Sequence, residues 1–229
     1  MIASVHIADV GVRRAASVLR SAPRPASVSG LRHANVALAA PLTPRVLRKP
    51  DFGRVALVAF WDDDDALDRF LLDNPVATAL SSGWRLRLQP LRAFGAWPGL
   101  PPDTPTGRTT EHQGVSAVLT LGRLRLGQSV RFLRTSAGAE ARALGAPGLI
   151  WATGLGRPPF VATCSLWEST RALASYAYGN SEPAHPAAID ADHAKPFHHA
   201  SAFIRFRPYG SHGSLAGRNP LSPDWMPAS

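Results

Sequence analysis

The chain has 229 residues, 45% of them hydrophobic, and 25 Lys+Arg against 16 Asp+Glu give it a net charge of +9. One cysteine, Cys164, excludes an internal disulfide and a cysteine-based zinc site, and no apolar run approaches the ~20 residues that span a bilayer. The arginines stand singly among apolar residues, as in Arg85, Arg87 and Arg92 or Arg123, Arg125 and Arg131. That is not the compact basic block with interleaved aromatics of a nucleic-acid binder. The N-terminus lacks a long apolar core followed by a small-residue cleavage site and reads as structure rather than a signal peptide. The expectation is a cytoplasmic protein that does not span a membrane, with peripheral membrane contact left open.

Taken in chain order, apolar runs and alternation predict strands near 2–9, 31–38, 54–61 and 84–93, with helices near 11–21 and 63–80. Asp62 to Asp65 open the second helix, where carboxylates suit the N-terminal dipole and capping better than catalysis. Pro98 to Gln113, with Pro101, Pro102 and Pro105, reads as a linker. A second series follows. Val115 to Leu126 is a strand, and Gln128 to Leu144 is a helix ended by Gly145 and Pro147. Leu149–Leu155 and Pro159–Trp167 are strands around a Gly154–Pro158 turn. Ser169–Tyr178 starts a helix that resumes over Ala184–His193, and Ser201–Tyr209 is the last strand. Residues 215–229 read as a disordered tail.

The two series are a repeat. Val55-Ala-Leu-Val-Ala-Phe-Trp61, followed by Asp62, Ala66-Leu67 and Phe70, matches Val161-Ala-Thr-Cys-Ser-Leu-Trp167, followed by Glu168, Ala172-Leu173 and Tyr176, at a spacing of 106. Gly30-Leu31 matches Gly148-Leu149, and Arg87 to Leu91 matches Arg205 to Tyr209, both at 118. Each half therefore reads as a ferredoxin-like α+β unit, strand–helix–strand–strand–helix–strand. The divisions are 1–97 for the first half, a linker over 98–113, 114–214 for the second half, and a tail over 215–229. A ferredoxin-like sheet has one face covered by helices and one apolar face bare. Two such halves in one chain predict an intrachain dimeric α/β barrel, a monomeric pseudo-dimer or a homodimer of such chains, with a cavity suited to an apolar ligand.

The motifs of the second half are Pro147-Gly148-Leu149, Ala152-Thr153-Gly154-Leu155-Gly156, Ser165-Leu166-Trp167-Glu168, Ala177-Tyr178, His185-Pro186-Ala187-Ala188-Ile189 and Arg205-Phe206. In this order they resemble the spheroidene monooxygenase family, over about 100 residues well and over the first half more loosely. The resemblance implies an oxygen-dependent, heme-using enzyme that modifies carotenoids with electrons from an external donor such as a ferredoxin. It also implies a proximal histidine on the helix after the Trp-Glu strand, which here is His185. The chain departs from the family pattern over Asp190 to His199, where a basic stretch, a tryptophan and an acidic residue are expected.

Among the candidates, His185 is the heme iron ligand, and His193, two helical turns on, is the alternative. Each also reads as an ordinary helix histidine. His198 and His199 add to a histidine-rich stretch, but Pro196 breaks it and no ligand spacing supports a mononuclear metal site. Trp151, Phe160 and Tyr178 are candidates to line an apolar cavity for a porphyrin or polyene. Arg205 is a candidate partner for a heme propionate, or a solvated strand arginine. Trp61 and Trp167 read as packing at strand ends. Gly154-Leu155-Gly156 reads as a turn, since no helix follows to make a phosphate loop. The first half has Asn74-Pro75-Val76-Ala77-Thr78 where His185 would fall, so one half is expected to hold one heme while the other is scaffold. Two rival readings stay open: a non-catalytic protein that holds heme or a lipophile, and a cofactor-free barrel monooxygenase or isomerase with acid–base histidines.

Overall fold

The computed structural model describes residues 1–42, 51–107, 110–178 and 197–221. His185, His193, the helix expected over 184–193 and residues 222–229 lie outside the described residues. The first half runs β1 (Ile2–Asp9), α1 (Val12–Arg20), β2 (Leu31–Pro41), β3 (Arg54–Trp61), α2 (Asp64–Asp73), α3 (Pro75–Leu80) and β4 (Trp84–Gly95). The second runs β5 (Ser116–Leu124), α4 (Ser129–Leu144), β6 (Leu149–Arg157), β7 (Phe160–Trp167), α5 (Thr170–Tyr178) and β8 (His198–His212). The eight strands form one closed barrel in the order β1-β3-β2-β6-β7-β5-β8-β4, all antiparallel.

Local chemistry explains the elements. β1 and β3 are near-continuous apolar runs because both faces are covered, by the barrel interior and by helices. Asp63 caps α2, its side chain accepting from Ala66 N at 2.8 Å, with Asp64 and Asp65 in the first turn. The single helix expected over 63–80 is in fact two. Asn74 accepts from Val76 N at 2.9 Å and Pro75 takes the first position of α3, so the chain stops one helix and caps the next. The expected Gly154–Pro158 turn is also corrected: β6 continues to Arg157 and pairs Gly154 with Thr163 and Gly156 with Val161. β8 begins at His198 rather than at Ser201.

Each half-sheet has the same order, β4-β1-β3-β2 and β8-β5-β7-β6. The seams therefore join equivalent strands, as a two-fold axis requires. At the β4–β8 seam the axis passes between Gln89 and Arg207, repeat equivalents that pair with each other, and Arg207 Nη2 donates to Gln89 Oε1 at 2.6 Å. The pairs Leu88↔Pro208 and Pro90↔Phe206 are images of each other, as are Arg85↔His212 and Phe94↔Phe203. Both halves carry the same register irregularity, after Leu31 and after Leu149. Both place a left-handed glycine just before it (Gly30 at φ 75°, Gly148 at φ 79°). The Asp62 and Glu168 backbone N–H groups donate to those glycines' carbonyls at 2.9 and 2.8 Å. A Cβ on Gly30 or Gly148 would stand 2.4 or 2.5 Å from the Cβ of Ala66 or Ala172, so the repeat needs glycine at these points.

The barrel interior is a packed core of residues from both halves, including Val5, Leu86, Leu88, Leu119, Ile204 and Phe206. A second core lies between the first half-sheet and α1–α3, around Leu57, Trp61, Leu67 and Phe70. After β4 and after β8 the chain turns inward at equivalent left-handed glycines, Gly95 (φ 83°) and Gly213 (φ 75°), and again at Gly99 (φ 86°) and Gly217 (φ 80°). Trp97 and Leu100 follow the first turn, Leu215 and Leu221 the second, and all four pack on the barrel core. Residues 213–221, which include the start of the stretch expected to be a tail, are thus folded. Leu215 pairs with Arg218, and Asn219 Oδ1 accepts from Ser211 Oγ at 2.6 Å and Leu221 N at 3.0 Å.

Candidate functional site

Strand alternation sorts the side chains of each half-sheet into an inner set and an outer set that faces the helices. In the second half the outer set forms three cross-strand rows. They run Arg205, Val118, Ser165, Ala152; then Phe203, Thr120, Thr163, Gly154; then Ser201, Gly122, Val161, Gly156. The matching rows of the first half run Arg87, Ser4, Ala59, Ala34; then Arg85, His6, Leu57, Val36; then Ala8, Val55, Leu38. The second half has lost bulk at the centre, where His6, Leu57 and Val36 give way to Thr120, Thr163 and Gly154.

Burial follows this change. Ser4, His6, Val55, Leu57 and Ala59 are buried under α1–α3, whereas Val118, Thr120, Val161, Thr163 and Ser165 are half-exposed. A Cβ on Gly156 would meet nothing within 4 Å, so packing does not require glycine there. The result is a flat floor of small and hydroxyl side chains beside α4 and α5. The Gly154-Leu155-Gly156 motif belongs to it, both glycines facing outward and Leu155 inward.

Trp167 closes one side of this floor. It stacks on Tyr176 of α5 (centroids 4.9 Å apart, 29° between planes), and its Nε1 donates to Ser165 Oγ at 3.0 Å. Its counterpart Trp61 packs on Phe70 and donates to Ser4 Oγ at 2.9 Å. Burial raises the Tyr176 hydroxyl above its ordinary pKa, with the Arg142 charge opposing. His198 closes the other side. Its ring lies on Gly122, where a Cβ would come within 2.5 Å of Cδ2 and 2.7 Å of Nε2, and Phe132 of α4 packs edge-on against it at 5.3 Å. Phe197, beside it, carries the Arg131 guanidinium 4.4 Å above its ring.

Arg205 is buried on this same outer face. Its equivalent Arg87 is held by Asp64 and Asp68 of α2. The corresponding α5 positions are Thr170 and Ala174, so the second half has no carboxylate pair at those places.

The other sequence candidates divide. Trp151 and Phe160 face the barrel interior, Trp151 against Trp84 (5.0 Å) and Phe160 against Trp97 (5.9 Å). The sheet lies between them and Arg205, so one planar ligand does not touch all three. Tyr178 is the last residue of α5. Cys164 points inward, fully buried, its thiol pushed up to about 12 by burial and so unreactive. Among the described residues no cluster of three or more His, Cys, Asp or Glu suits a metal ion. His198 is the residue whose place the sequence did not disclose. Its trace was Gly122, a glycine inside a strand, which marks close approach by another group.

No family model matches the chain. Spheroidene monooxygenase from Cereibacter sphaeroides is 25% identical over 179 residues, which cover 76% of this chain and 55% of that protein. The chain thus spans about 55% of the length of that curated relative. Among solved structures, an aldoxime dehydratase superposes with a TM-score of 0.51 at 10% identity, over 90% of this chain and 80% of that one. A monooxygenase-named structure from Fusobacterium nucleatum subsp. nucleatum gives 0.41 at 9% identity, over 93% and 95%. The chain is a relative of spheroidene monooxygenase, with the dimeric α/β-barrel fold closed within one polypeptide.

Proposed function

We propose that this protein is a heme-dependent oxygenase of apolar substrates, with a carotenoid as the substrate class. The observation that supports the location is the asymmetry of the two halves: one outer sheet face is filled by His6, Leu57 and the helices, and its repeat equivalent is left half-exposed over Thr120, Thr163, Val161 and Gly156. The similarity to spheroidene monooxygenase supports the reaction class.

The residues fit a porphyrin. A β-face of Thr120, Thr163, Val161 and Gly156 is low and half-exposed, as a planar macrocycle needs. Arg205 supplies a cation for a propionate. His185 is the proposed axial ligand, with His193 as the alternative, and His198 adds an imidazole at the edge of the face. Heme supplies oxygen binding and activation when bound. The protein would contribute the ligand, the sheet face on which the group lies and the orientation of the substrate, with electrons from an external donor such as a ferredoxin.

The test is turnover under labelled dioxygen with heme-loaded protein, reduced ferredoxin and a carotenoid. The proposal expects a product carrying one labelled oxygen, lost in His185→Ala. Heme retained without product selects a binding protein. Product formed by heme-free protein selects an acid–base barrel enzyme.

A further inference from the structure

The barrel end closed by Trp97 carries polar chemistry that the opposite end lacks. His33 and Asn35 lie on β2 two residues apart, on the inward face shared with Ala37 and Ala39. The Gly99 turn presses the Trp97 segment onto them: a Cβ on Gly99 would stand 2.8 Å from His33 Cβ and 3.1 Å from Phe60 Cβ. Trp97 is 5% exposed and meets the His33 ring edge to face at 6.4 Å. Three nitrogens here, Trp97 Nε1, Asn35 Nδ2 and His33 Nε2, are buried and have no hydrogen-bond partner among the described residues. A buried donor or acceptor left without a hydrogen bond is costly, so three in one cluster call for a common partner.

The repeat supplies the control. At the other end of the barrel the equivalent residues are Trp151, Thr153 and Leu215. Leu215 is apolar, Trp151 packs on Trp84, and Thr153 Oγ1 donates to Ala40 O at 2.8 Å. The unmet groups are therefore specific to one end, and the fold does not require them.

Their valence identifies the partner. Burial, and then the Arg123 charge, hold His33 below its ordinary pKa, so the ring is neutral. A neutral imidazole carries its proton on one nitrogen, and in the tautomer with that proton on Nδ1 the unpaired Nε2 keeps its lone pair. Nε2 is then a lone-pair acceptor, whereas Asn35 Nδ2 and Trp97 Nε1 are donors. One hydroxyl oxygen has the valence to serve all three, accepting twice and donating once. Phe160, Phe60 and Leu100 around it are apolar.

We infer that the Trp97 end of the barrel binds the hydroxyl end of an apolar molecule, with its oxygen held by Trp97 and Asn35 and its proton given to His33 Nε2. The site is on the opposite side of the sheet from the face proposed for heme and does not depend on that proposal. The test is calorimetric titration of the full-length protein with 1-octanol and, separately, with octane. Octanol is expected to saturate one site at least tenfold more tightly than octane. Trp97→Phe and Asn35→Leu should each weaken octanol about tenfold, the loss of one hydrogen bond, and leave octane unchanged. The Trp97 indole N–H proton resonance should shift downfield with octanol, a readout that needs no variant to fold. Equal affinity for the two probes, octanol binding indifferent to both substitutions, or no saturable binding (a buried water only) would overturn the inference.

Discussion

His6 and Thr120 hold the same position in the two half-sheets and have opposite fates. His6 is enclosed by α2, with its ring against Phe70, and Nε2 is 3.0 Å from Ser4 Oγ. Ser4 accepts from Trp61, which leaves its own hydroxyl proton for the imidazole. Burial first, then the Arg85 and Arg87 charges, lower the His6 pKa from 6.5 to about 3. The unfolded chain takes up a proton below pH 6.5 that the folded chain refuses until about 3. Stability from this residue is complete above pH 6.5 and is lost as pH falls through that window, by ~1.4 kcal/mol per pH unit. In His6→Gln this part of the acid dependence should vanish, which denaturant unfolding at pH 7 and pH 5 would measure. Equal slopes in both proteins would sink the assignment. Gly148 gives a second prediction at this scale. Alanine there meets both a positive φ and the Ala172 methyl group, so Gly148→Ala should lower stability by about 1–3 kcal/mol. A lower denaturant midpoint at unchanged m-value would show it.

At the scale of elements, Gly156 and Arg205 separate packing from binding. The open space above Gly156 means that Gly156→Phe should leave the unfolding midpoint within about 0.5 kcal/mol, the range of substitutions away from packed features. The same substitution should abolish heme uptake by standing on the proposed floor. Unfolding curves and heme titration on one preparation test both halves of the prediction. Arg87→Met removes the pairs with Asp64 and Asp68, whose carboxylates are half-exposed, and should cost about 1 kcal/mol. Arg205→Met should weaken heme uptake. Most elements were legible in the sequence because β1 and β3 are dense apolar runs and Asp62 to Asp65 announce α2. The split at Asn74-Pro75 was present as a cap followed by a first-turn proline, and the apolar periodicity running through it hid the break. The outward glycines of β6 resembled a turn because glycine marks either a bend or an uncovered surface, and only the register distinguishes them.

At the scale of the molecule, the repeat places like strands at the seams, and the two halves then diverge in what they cover. The barrel was legible because a half-sheet with a bare apolar face needs a partner and the chain contains two. The inward turns at Trp97 and Leu215 were not, since Ala-Trp-Pro-Gly and Ser-Leu-Ala-Gly share little beyond the glycine that the left-handed turn requires. The placing of Trp151 and Phe160 inside and Arg205 outside follows from β-pairing that the sequence leaves open. In the proposed function the second half holds one heme and the first is scaffold. Titrating the purified protein with heme, followed by its absorption spectrum, tests this most directly. A single heme site gives saturation at one heme per chain, a Soret band that His185→Ala alters, and loss of uptake in Gly156→Phe. Two hemes per chain, or uptake and spectrum unchanged by both substitutions, would contradict it.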